Sequence, residues 1–305
     1  MIRVLVATEK PFAAEAREKI QKVFRKAEYE LLLLEKYASK NELLAAVAGV
    51  EALIIRSDII DREVIDAAAL LKIVVRAGAG FDNVDTGYAA RRGIVVMNTP
   101  GMNANAVAEL AIGLVIYGMR GMFSGTQGSE LRGKTLGLHG FGYVARNVFR
   151  IARALGMKVI VYTRYSKEAA VAIGLKITHS LEELYHKSDI ISIHVPAKGE
   201  HLKSVSYDIL KGMKENALIV NTARKEIIRE EDLLRIMEEK KGVKYLTDVS
   251  PDRKEEFAGK YGDRFFSTPV KIGAQTNEAN NNAGVAAAEQ IVAFFRHGDT
   301  SFQVN

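Results

Sequence analysis

Short runs of apolar, mostly β-branched residues alternate along the chain with stretches whose apolar residues recur at helical spacing. In the first third these runs predict strands at residues 3–7, 29–34, 52–55, 73–75 and 95–97. A second series predicts strands at residues 135–138, 158–162, 190–194, 217–221 and 244–247. Strands that alternate with helical segments are typical of parallel sheets with right-handed crossovers. The pattern therefore predicts an α/β protein with doubly wound parallel sheets.

Two long helical patterns, at residues 103–120 and 278–297, flank the second series of strands. We expect them to be the crossings between two domains. The first domain would then comprise residues 1–101 and 280–305, and the second would comprise residues 102–279. A chain of 305 residues is long enough for two such domains.

Composition narrows the classes of function. The chain has no cysteine, which excludes disulfides, thiolate metal sites and a cysteine nucleophile, and we predict no metal site. The excess of 6 positive charges is scattered among acidic residues, so we expect no nucleic-acid partner. A mild positive balance also suits small phosphorylated or carboxylated ligands.

The sequence also predicts where the protein works. The most apolar run, residues 106–119, contains Glu109 and is too short to span a bilayer. The first residues read as a strand, without a charged leader or a cleavage site. We therefore expect no membrane partner and a cytoplasmic location.

A glycine-rich motif follows the strand at residues 135–138. It reads Gly140-Phe-Gly142-Tyr143-Val144-Ala145 and opens a predicted helix, which is the strand–turn–helix setting of a dinucleotide fingerprint. Gly140 would make the tight turn, and Gly142 would let a pyrophosphate approach the backbone at the positive end of the helix. The motif predicts that a dinucleotide cofactor binds here.

The residues after the next strand bear on which dinucleotide binds. An acid that bonds the ribose 2′-hydroxyl is expected there, but the chain has Thr163 and Arg164 instead. A small hydroxyl followed by a cation would attract a 2′-phosphate. We expect NADP(H) or NAD(H), with NADP(H) slightly favoured, and a solvated Arg164 beside an NAD site is the alternative.

Further segments, at residues 76–85, 98–101, 108–110, 193–196 and 221–224, resemble the D-2-hydroxyacid dehydrogenase family. Residues 55–57 and 76–85 are most similar to its D-3-phosphoglycerate dehydrogenase branch. The ends, residues 268–276 and 302–305, resemble the short, type III form of that branch, with no residues left for a serine-binding regulatory domain. The resemblance implies a Rossmann domain inserted in a flavodoxin-like substrate domain.

The resemblance also implies roles for individual residues. Arg224 would bind the substrate carboxylate and carbonyl through a planar set of donors that lysine lacks. The residues expected to bind the rest of the substrate are Arg56 and Ser57, at its distal phosphate, and the backbone amides of Gly78, Ala79 and Gly80. The residues expected around the cofactor, besides the fingerprint, are His194, Val195, Pro196, Thr222, Ala223 and Asp248, the last at the nicotinamide carboxamide.

The chain departs from the family at the usual histidine and its glutamate partner. Aligning on the Ile-Gly-Ala at residues 272–274 puts Lys271 in the place of the histidine. A lysine ammonium can donate a proton to a carbonyl oxygen, whereas oxidation needs the neutral amine. Because an ordinary lysine has a pKa of about 10.4, we expect an alkaline optimum for oxidation. The alternative is an exposed loop lysine, and the sequence leaves open whether Glu255 or Glu256 supports Lys271.

The dinucleotide motif together with the family resemblance implies an oxidoreductase acting on CH–OH groups. The reaction that the resemblance favours is oxidation of 3-phosphoglycerate to 3-phosphohydroxypyruvate, the entry to serine synthesis, with Arg224 and Lys271 as the catalytic residues. A glyoxylate or hydroxypyruvate reductase is one alternative, and a non-catalytic NAD(P)-sensing dimeric scaffold is another. The helix at residues 103–120 has more apolar surface than one contact face requires, and the resemblance implies that it packs near the twofold axis of a homodimer.

Overall fold

A computed structural model describes residues 1–163 and 173–305 and divides the chain into two compact units. Unit 1 comprises Met1–Ala104 and Gln275–Asn305, and unit 2 comprises Asn105–Ala274. The expected boundaries, at residues 101 and 280, lie a few residues away. The division instead falls where one long helix begins and in the loop before another.

Unit 1 contains a five-stranded parallel sheet with the order β2-β1-β3-β4-β5. This is the flavodoxin-like doubly wound order. Its strands are β1 (Arg3–Thr8), β2 (Glu30–Glu35), β3 (Ala52–Ile55), β4 (Ile73–Arg76) and β5 (Val95–Asn98). Its helices are α1 (Ala14–Ala27), α2 (Lys40–Val47), α3 (Arg62–Ala67), α4 (Thr86–Arg91) and α11 (Asn277–His297).

Unit 2 contains a seven-stranded parallel sheet with the order β12-β11-β10-β9-β6-β7-β8, which is a Rossmann order with an added edge strand. Its strands are β6 (Thr135–His139), β7 (Lys158–Tyr162), β8 (Lys176–Ile177), β9 (Ile190–Ile193), β10 (Leu218–Asn221), β11 (Lys244–Thr247) and β12 (Phe265–Ser267). Its helices are α5 (Ala104–Met119), α6 (Tyr143–Ala154), α7 (Leu181–Lys187), α8 (Tyr207–Leu210), α9 (Glu230–Glu239) and α10 (Lys254–Tyr261), with 3-10 turns at Gly121–Phe123, Gly199–His201 and Lys225–Ile227.

The predicted fold class is confirmed, and the predicted strands recur with ends shifted by about a residue. Central strands such as β3 and β10 are buried along their whole length, because helices cover both faces of a parallel sheet. The sequence did not predict β8 or β12, which have 2 and 3 residues. It also missed α3 and α4, whose N-caps are Asp61 and Asp85.

The last residues of the chain cover the edge of the unit 1 sheet. Val304 donates its N–H to Val96 O at 2.9 Å. The carboxamide of Asn305 accepts from Val96 N at 2.9 Å and donates to Ile94 O at 2.8 Å. The side chain thus pairs with the edge strand as a further residue of a strand would, and it satisfies backbone groups that an edge leaves unpaired.

The two strand orders determine where loops converge. In a doubly wound sheet, ligands bind beyond the carboxyl ends of the strands, where the strand order reverses. That point lies between β1 and β3 in unit 1 and between β6 and β9 in unit 2. In the described part of the chain, no helix combines the length and the apolarity needed to cross a membrane.

Candidate functional site

The loop after β6 is shaped by Gly140. This residue has φ +99°, and a Cβ there would lie 2.7 Å from both His194 O and Val195 Cγ1. Its N–H donates to Tyr162 O at 2.9 Å. Only glycine therefore fits between the loops that follow β6 and β9.

The beginning of α6 is open. Gly142 is its N-cap and has no side chain to accept from the first-turn N–H groups, and a Cβ there would meet nothing within 4 Å. Tyr143, the first helical residue, is 58% exposed. An uncapped helix N-terminus with space in front of it can receive an anion. The residues present fit the pyrophosphate of a dinucleotide.

Two histidines flank this loop, of which His139 is buried and His194 is half-buried. His139 ends β6, and the Tyr185 hydroxyl lies 3.4 Å from its Nδ1. His194 follows β9, and its Nε2 lies 2.8 Å from Ser192 Oγ. Burial lowers the pKa of His139 to about 3 and the pKa of His194 to about 3, so both rings are neutral near pH 7. Val195 is buried, and Pro196 is exposed.

The turn after β10 brings the two candidate catalytic cations together. Arg224 donates from Nη1 to Ala223 O at 2.9 Å, and Lys271 donates from Nζ to the same oxygen at 3.2 Å. The Asn221 side chain holds the turn, because its Nδ2 donates to Arg224 O at 3.0 Å and its Oδ1 accepts from Ala223 N at 3.0 Å. The two side chains therefore converge on one carbonyl oxygen.

Thr222 lies in the same turn. Its hydroxyl is buried and, within the residues that the structure describes, has no hydrogen-bond partner. A buried polar atom without a partner is costly, so such an atom favours a ligand that satisfies it. This hydroxyl is a second feature that fits a bound cofactor.

Asp248, after β11, is 1% exposed. Its Oδ1 accepts from the Thr268 hydroxyl at 2.9 Å and from Ile272 N at 2.8 Å. Its Oδ2 accepts from Gly273 N at 2.8 Å. The carboxylate predicted to contact the nicotinamide carboxamide is thus already bonded to the loop that carries Lys271.

The glutamates near the expected acid position have other contacts. Glu256 pairs with Arg253 at 2.6 Å and with Lys260 at 2.9 Å. Glu255 is an exposed residue of α10. Neither contact of Glu256 involves Lys271.

Arg56, in unit 1, follows β3. Its Nη1 donates to Lys10 O at 2.8 Å, and its Nη2 donates to Asn280 Oδ1 at 2.6 Å. The guanidinium also lies 5.3 Å from the centre of the Phe12 ring. Burial lowers the pKa of Arg56 from its ordinary value. Arg56 is therefore part of the internal bonding of unit 1, whereas Ser57 beside it is exposed.

The loop Gly78–Ala79–Gly80 is held through its carbonyl groups. Thr99 N donates to Gly78 O at 3.0 Å, and Asn98 Nδ2 donates to Ala79 O at 2.6 Å. Gly78 N donates to Arg76 O at 2.8 Å, so this amide is already used. The hydrogen bonds that fix the loop thus use Gly78 N, Gly78 O and Ala79 O, and they do not use the N–H groups of Ala79 and Gly80.

Two further sequence predictions concern the ribose and metals. Thr163 is half-buried after β7, and Arg164 lies outside the described residues. Over residues 1–163 and 173–305, no group of three or more His, Asp or Glu side chains could hold a metal ion.

Sequence reasoning missed several polar residues that shape these loops. Asp58 accepts from Glu9 N, Arg56 N and the Tyr37 hydroxyl, and Asn83 Nδ2 donates to Asp58 O at 2.7 Å. The sequence signal that could have identified Asp58 is its position, three residues beyond the apolar strand β3.

The fold and these loops define a two-unit α/β protein with a Rossmann-type sheet and a dinucleotide-type turn. The family model of the D-isomer specific 2-hydroxyacid dehydrogenase catalytic domain matches residues 5–305. The chain belongs to this family, whose members are NAD-dependent oxidoreductases that act on CH–OH groups.

Individual relatives carry more specific names. The NAD+-bound 3-phosphoglycerate dehydrogenase of Entamoeba histolytica is 44% identical, with a TM-score of 0.90 over 100% of this chain and 98% of that chain. The D-3-phosphoglycerate dehydrogenase of Methanocaldococcus jannaschii is 34% identical over 278 residues, 85% of this chain and 52% of the relative. The hydroxypyruvate reductase of Thermotoga maritima is 35% identical over 282 residues, 86% of this chain and 90% of the relative. The chain spans about half the length of several curated relatives that it matches.

Proposed function

We propose that this protein catalyses the nicotinamide-dependent interconversion of 3-phosphoglycerate and 3-phosphohydroxypyruvate, a step toward serine. The observation that carries the proposal is the convergence of Arg224 and Lys271 on Ala223 O. Relatives named for this activity at 34% and 44% identity support the choice of substrate.

The cofactor of the proposed reaction is NAD(H). The open N-terminus of α6 would hold the pyrophosphate, and Thr222 would bond the nicotinamide end. When bound, the nicotinamide exchanges a hydride with the substrate carbon. The NAD+ in the 44% identical relative supports NAD(H), whereas Thr163 and Arg164 supported NADP(H).

A direct comparison of cofactors tests this part of the proposal. The expected kcat/KM is higher with NAD(H), and Arg164→Ala changes it little. If NADP(H) is preferred and Arg164→Ala lowers that preference about tenfold or more, the 2′-phosphate interpretation is correct instead.

Arg224 and Lys271 would have different roles toward the substrate. Arg224 would bind the carboxylate and polarise the carbonyl through its planar set of donors. The Lys271 ammonium would donate a proton to the carbonyl oxygen during reduction, and its neutral amine would take the hydroxyl proton during oxidation. In unit 1, Ser57 and the amides of Ala79 and Gly80 would bind the substrate, and Arg56 would place its charge near the phosphate.

Lys271→Ala is the test of the catalytic assignment. General acid–base catalysis contributes typically 10²- to 10⁴-fold, so kcat should fall by that order in both directions. Lys271→His should restore part of the activity and move the oxidation optimum toward neutral pH, because imidazole has the lower ordinary pKa. Lys211→Ala, which removes an exposed lysine paired with Asp208, is the matched control. Undiminished turnover in Lys271→Ala would remove Lys271 from the mechanism.

A second candidate is reduction of hydroxypyruvate or glyoxylate. The bonding of Arg56 to Lys10 O and Asn280 favours it, because that guanidinium already has internal partners. A reductase at 35% identity supports it as well. A panel of phosphorylated and plain keto acids discriminates the two through kcat/KM, and absence of turnover with every acid would favour a cofactor-sensing scaffold.

The active form is proposed to be a homodimer. Helix α5 leaves Asn105, Glu109, Gly113 and Ile116 exposed along one side. These positions recur at intervals of three or four residues, which places them on one face of a helix. Sedimentation at micromolar concentration should give the mass of two chains, and a monomer would exclude this assignment.

A further inference from the structure

The loop formed by residues 268–273 is anchored at both of its ends by one buried carboxylate. Asp248 accepts from Thr268 at the beginning of the loop, and from Ile272 and Gly273 at its end. Lys271 lies between these anchors. The position of Lys271 therefore depends on hydrogen bonds that converge on Asp248.

The middle of the same loop has little apolar burial to hold it. Val270 is 68% exposed and Ile272 is 39% exposed, and Lys271 is exposed as well. Side chains that remain in water contribute little to fixing a loop. The hydrogen bonds to Asp248, together with the bond from Thr268 N to Thr247 O at 3.1 Å, therefore restrain the loop backbone from which the Lys271 side chain extends.

Gly273 allows the loop to approach the carboxylate closely. A Cβ at this position would lie 2.8 Å from Asp248 Oδ2 and 3.5 Å from Val107 Cγ2. Because real Cβ atoms essentially never show contacts shorter than 3.0 Å, a side chain at this position would force the loop and the Asp248 carboxylate apart. Asp248 therefore holds the loop by hydrogen bonds, whereas Gly273 contributes by the absence of a side chain that would clash with the carboxylate.

We propose that Asp248 is a positioning residue that acts on the reaction through Lys271. It holds loop 268–273 so that Lys271 Nζ reaches Ala223 O beside Arg224. Three of the about four lone-pair sites of this carboxylate face the loop, so most of its hydrogen-bonding capacity serves the loop, and one site remains for the carboxamide contact expected from the sequence. This inference rests on the proposed function of Lys271 as the acid and base.

Asp248→Asn and Gly273→Ala test the proposal together, so that a folding failure of one variant leaves the other informative. Both should lower kcat by roughly 10²-fold, the order reported for small displacements of a catalytic group. The Kd for NAD+ should stay within about twofold of the unmodified protein, since the variants move Lys271 and leave the α6 terminus intact. Amide hydrogen exchange at Ile272 and Gly273 should become faster in Asp248→Asn. Asp252→Asn, at an exposed acid paired with Lys225, is the matched control and should change none of these.

A double-mutant cycle with Lys271→Ala decides whether Asp248 acts through Lys271. Adding Asp248→Asn to Lys271→Ala should lower kcat less than about twofold further. The inference would be overturned if Asp248→Asn lowered kcat as much in the Lys271→Ala background as in the unmodified protein and also raised the Kd for NAD+ tenfold or more. That result would favour direct contact of Asp248 with the nicotinamide.

The same cycle separates the two possible failures. If Lys271→Ala retains full turnover, the proposed function of Lys271 is wrong and the positioning role falls with it. If Lys271→Ala is impaired while Asp248→Asn and Gly273→Ala are fully active, only the positioning role is wrong.

Discussion

Asp58 of unit 1 and Asp248 of unit 2 are two buried carboxylates that accept hydrogen bonds from the same kinds of donor groups. Each lies at the carboxyl end of a parallel strand, and they are 2% and 1% exposed. Each accepts two main-chain N–H groups and one hydroxyl. A buried carboxylate with the same kinds of donors thus occurs in both units.

The two carboxylates differ in where their donors come from. The donors to Asp58 belong to separate segments, at Glu9, Tyr37 and Arg56, so that Asp58 joins loops that follow different strands. The donors to Asp248 all belong to loop 268–273. Asp58 therefore links several segments of its unit, whereas Asp248 binds a single loop, the one that carries Lys271.

The largest expected difference between the two units is in how much stability each loses at acidic pH. Burial holds the pKa of His139 and the pKa of His194 at about 3, below the ordinary value of 6.5. As the pH falls, these histidines are therefore protonated in the unfolded chain before they are protonated in the folded protein. The free energy of unfolding, which is at its full value above pH 6.5, decreases as the pH falls toward 3. Between pH 6.5 and 5 the loss is about 2 kcal/mol for each histidine.

Hydrogen exchange at pH 7 and pH 5 measures this effect in each sheet. After correction for intrinsic exchange rates, protection should fall more in β9 of unit 2 than in β3 of unit 1, whose unit contains only His297. His139→Leu should reduce the loss in unit 2 by about half. Equal losses in both units would contradict the assignment.

Asp58→Ala should destabilise the protein more than Asp248→Ala. Asp58→Ala leaves three donors on separate segments without an acceptor, at a cost of about 3 kcal/mol. In Asp248→Ala the released loop can turn its donors to water, and the cost is about 1 kcal/mol. Chemical unfolding measures both, with Glu63→Gln at an exposed ion pair as the control. Equal losses would remove the distinction between the two carboxylates.

Asp58→Asn should affect substrate binding, and Asp248→Asn should affect turnover. Asp58 accepts from Arg56 N, so weakening this bond displaces the loop proposed to meet the phosphate. The KM for 3-phosphoglycerate should rise about tenfold, equivalent to about 1.4 kcal/mol, while kcat stays within about twofold. Steady-state kinetics at saturating NAD+ checks this. A fall in kcat with unchanged KM would show that unit 1 contributes to the chemical step instead.

The smallest effects should come from removing one hydroxyl donor from each carboxylate. Tyr37 donates to Asp58 at 2.8 Å, and Thr268 donates to Asp248 at 2.9 Å. Tyr37→Phe and Thr268→Val should each cost about 1 kcal/mol of stability. Only Thr268→Val should also lower kcat, because only Thr268 is part of the loop that carries Lys271. A parallel fall in kcat for Tyr37→Phe would argue that the two clusters are functionally coupled.

Much of the fold was predictable because its signals are local. Apolar runs such as Ala52–Ile55 identify buried strands without reference to any neighbour. The shortest elements were missed because the 2 residues of β8 and the 6 residues of α3 are too few to show a period. The N-cap acid Asp61 was the one sequence signal for α3.

The candidate site was predictable to a lesser extent. Arg224 and Lys271 were both expected in it, and the structure brings them to one oxygen. The partners of Arg56 were not predictable, because Asn280 is 224 positions away along the chain. The resemblance suggested a cofactor contact for Asp248, but nothing in the local pattern predicted that loop 268–273 would occupy its oxygens.

By itself, the sequence determined the alternation of strands and helices and the glycine turn at Gly140, because hydrophobic period and backbone freedom are properties of neighbouring residues. Only the tertiary structure decided which polar groups meet. A hydrogen bond requires atoms about 3 Å apart, and the strand order and the loops at the strand ends determine which residues come that close. The meeting of Lys271 with Ala223 O, and of Asp248 with the loop that carries Lys271, follows from that geometry.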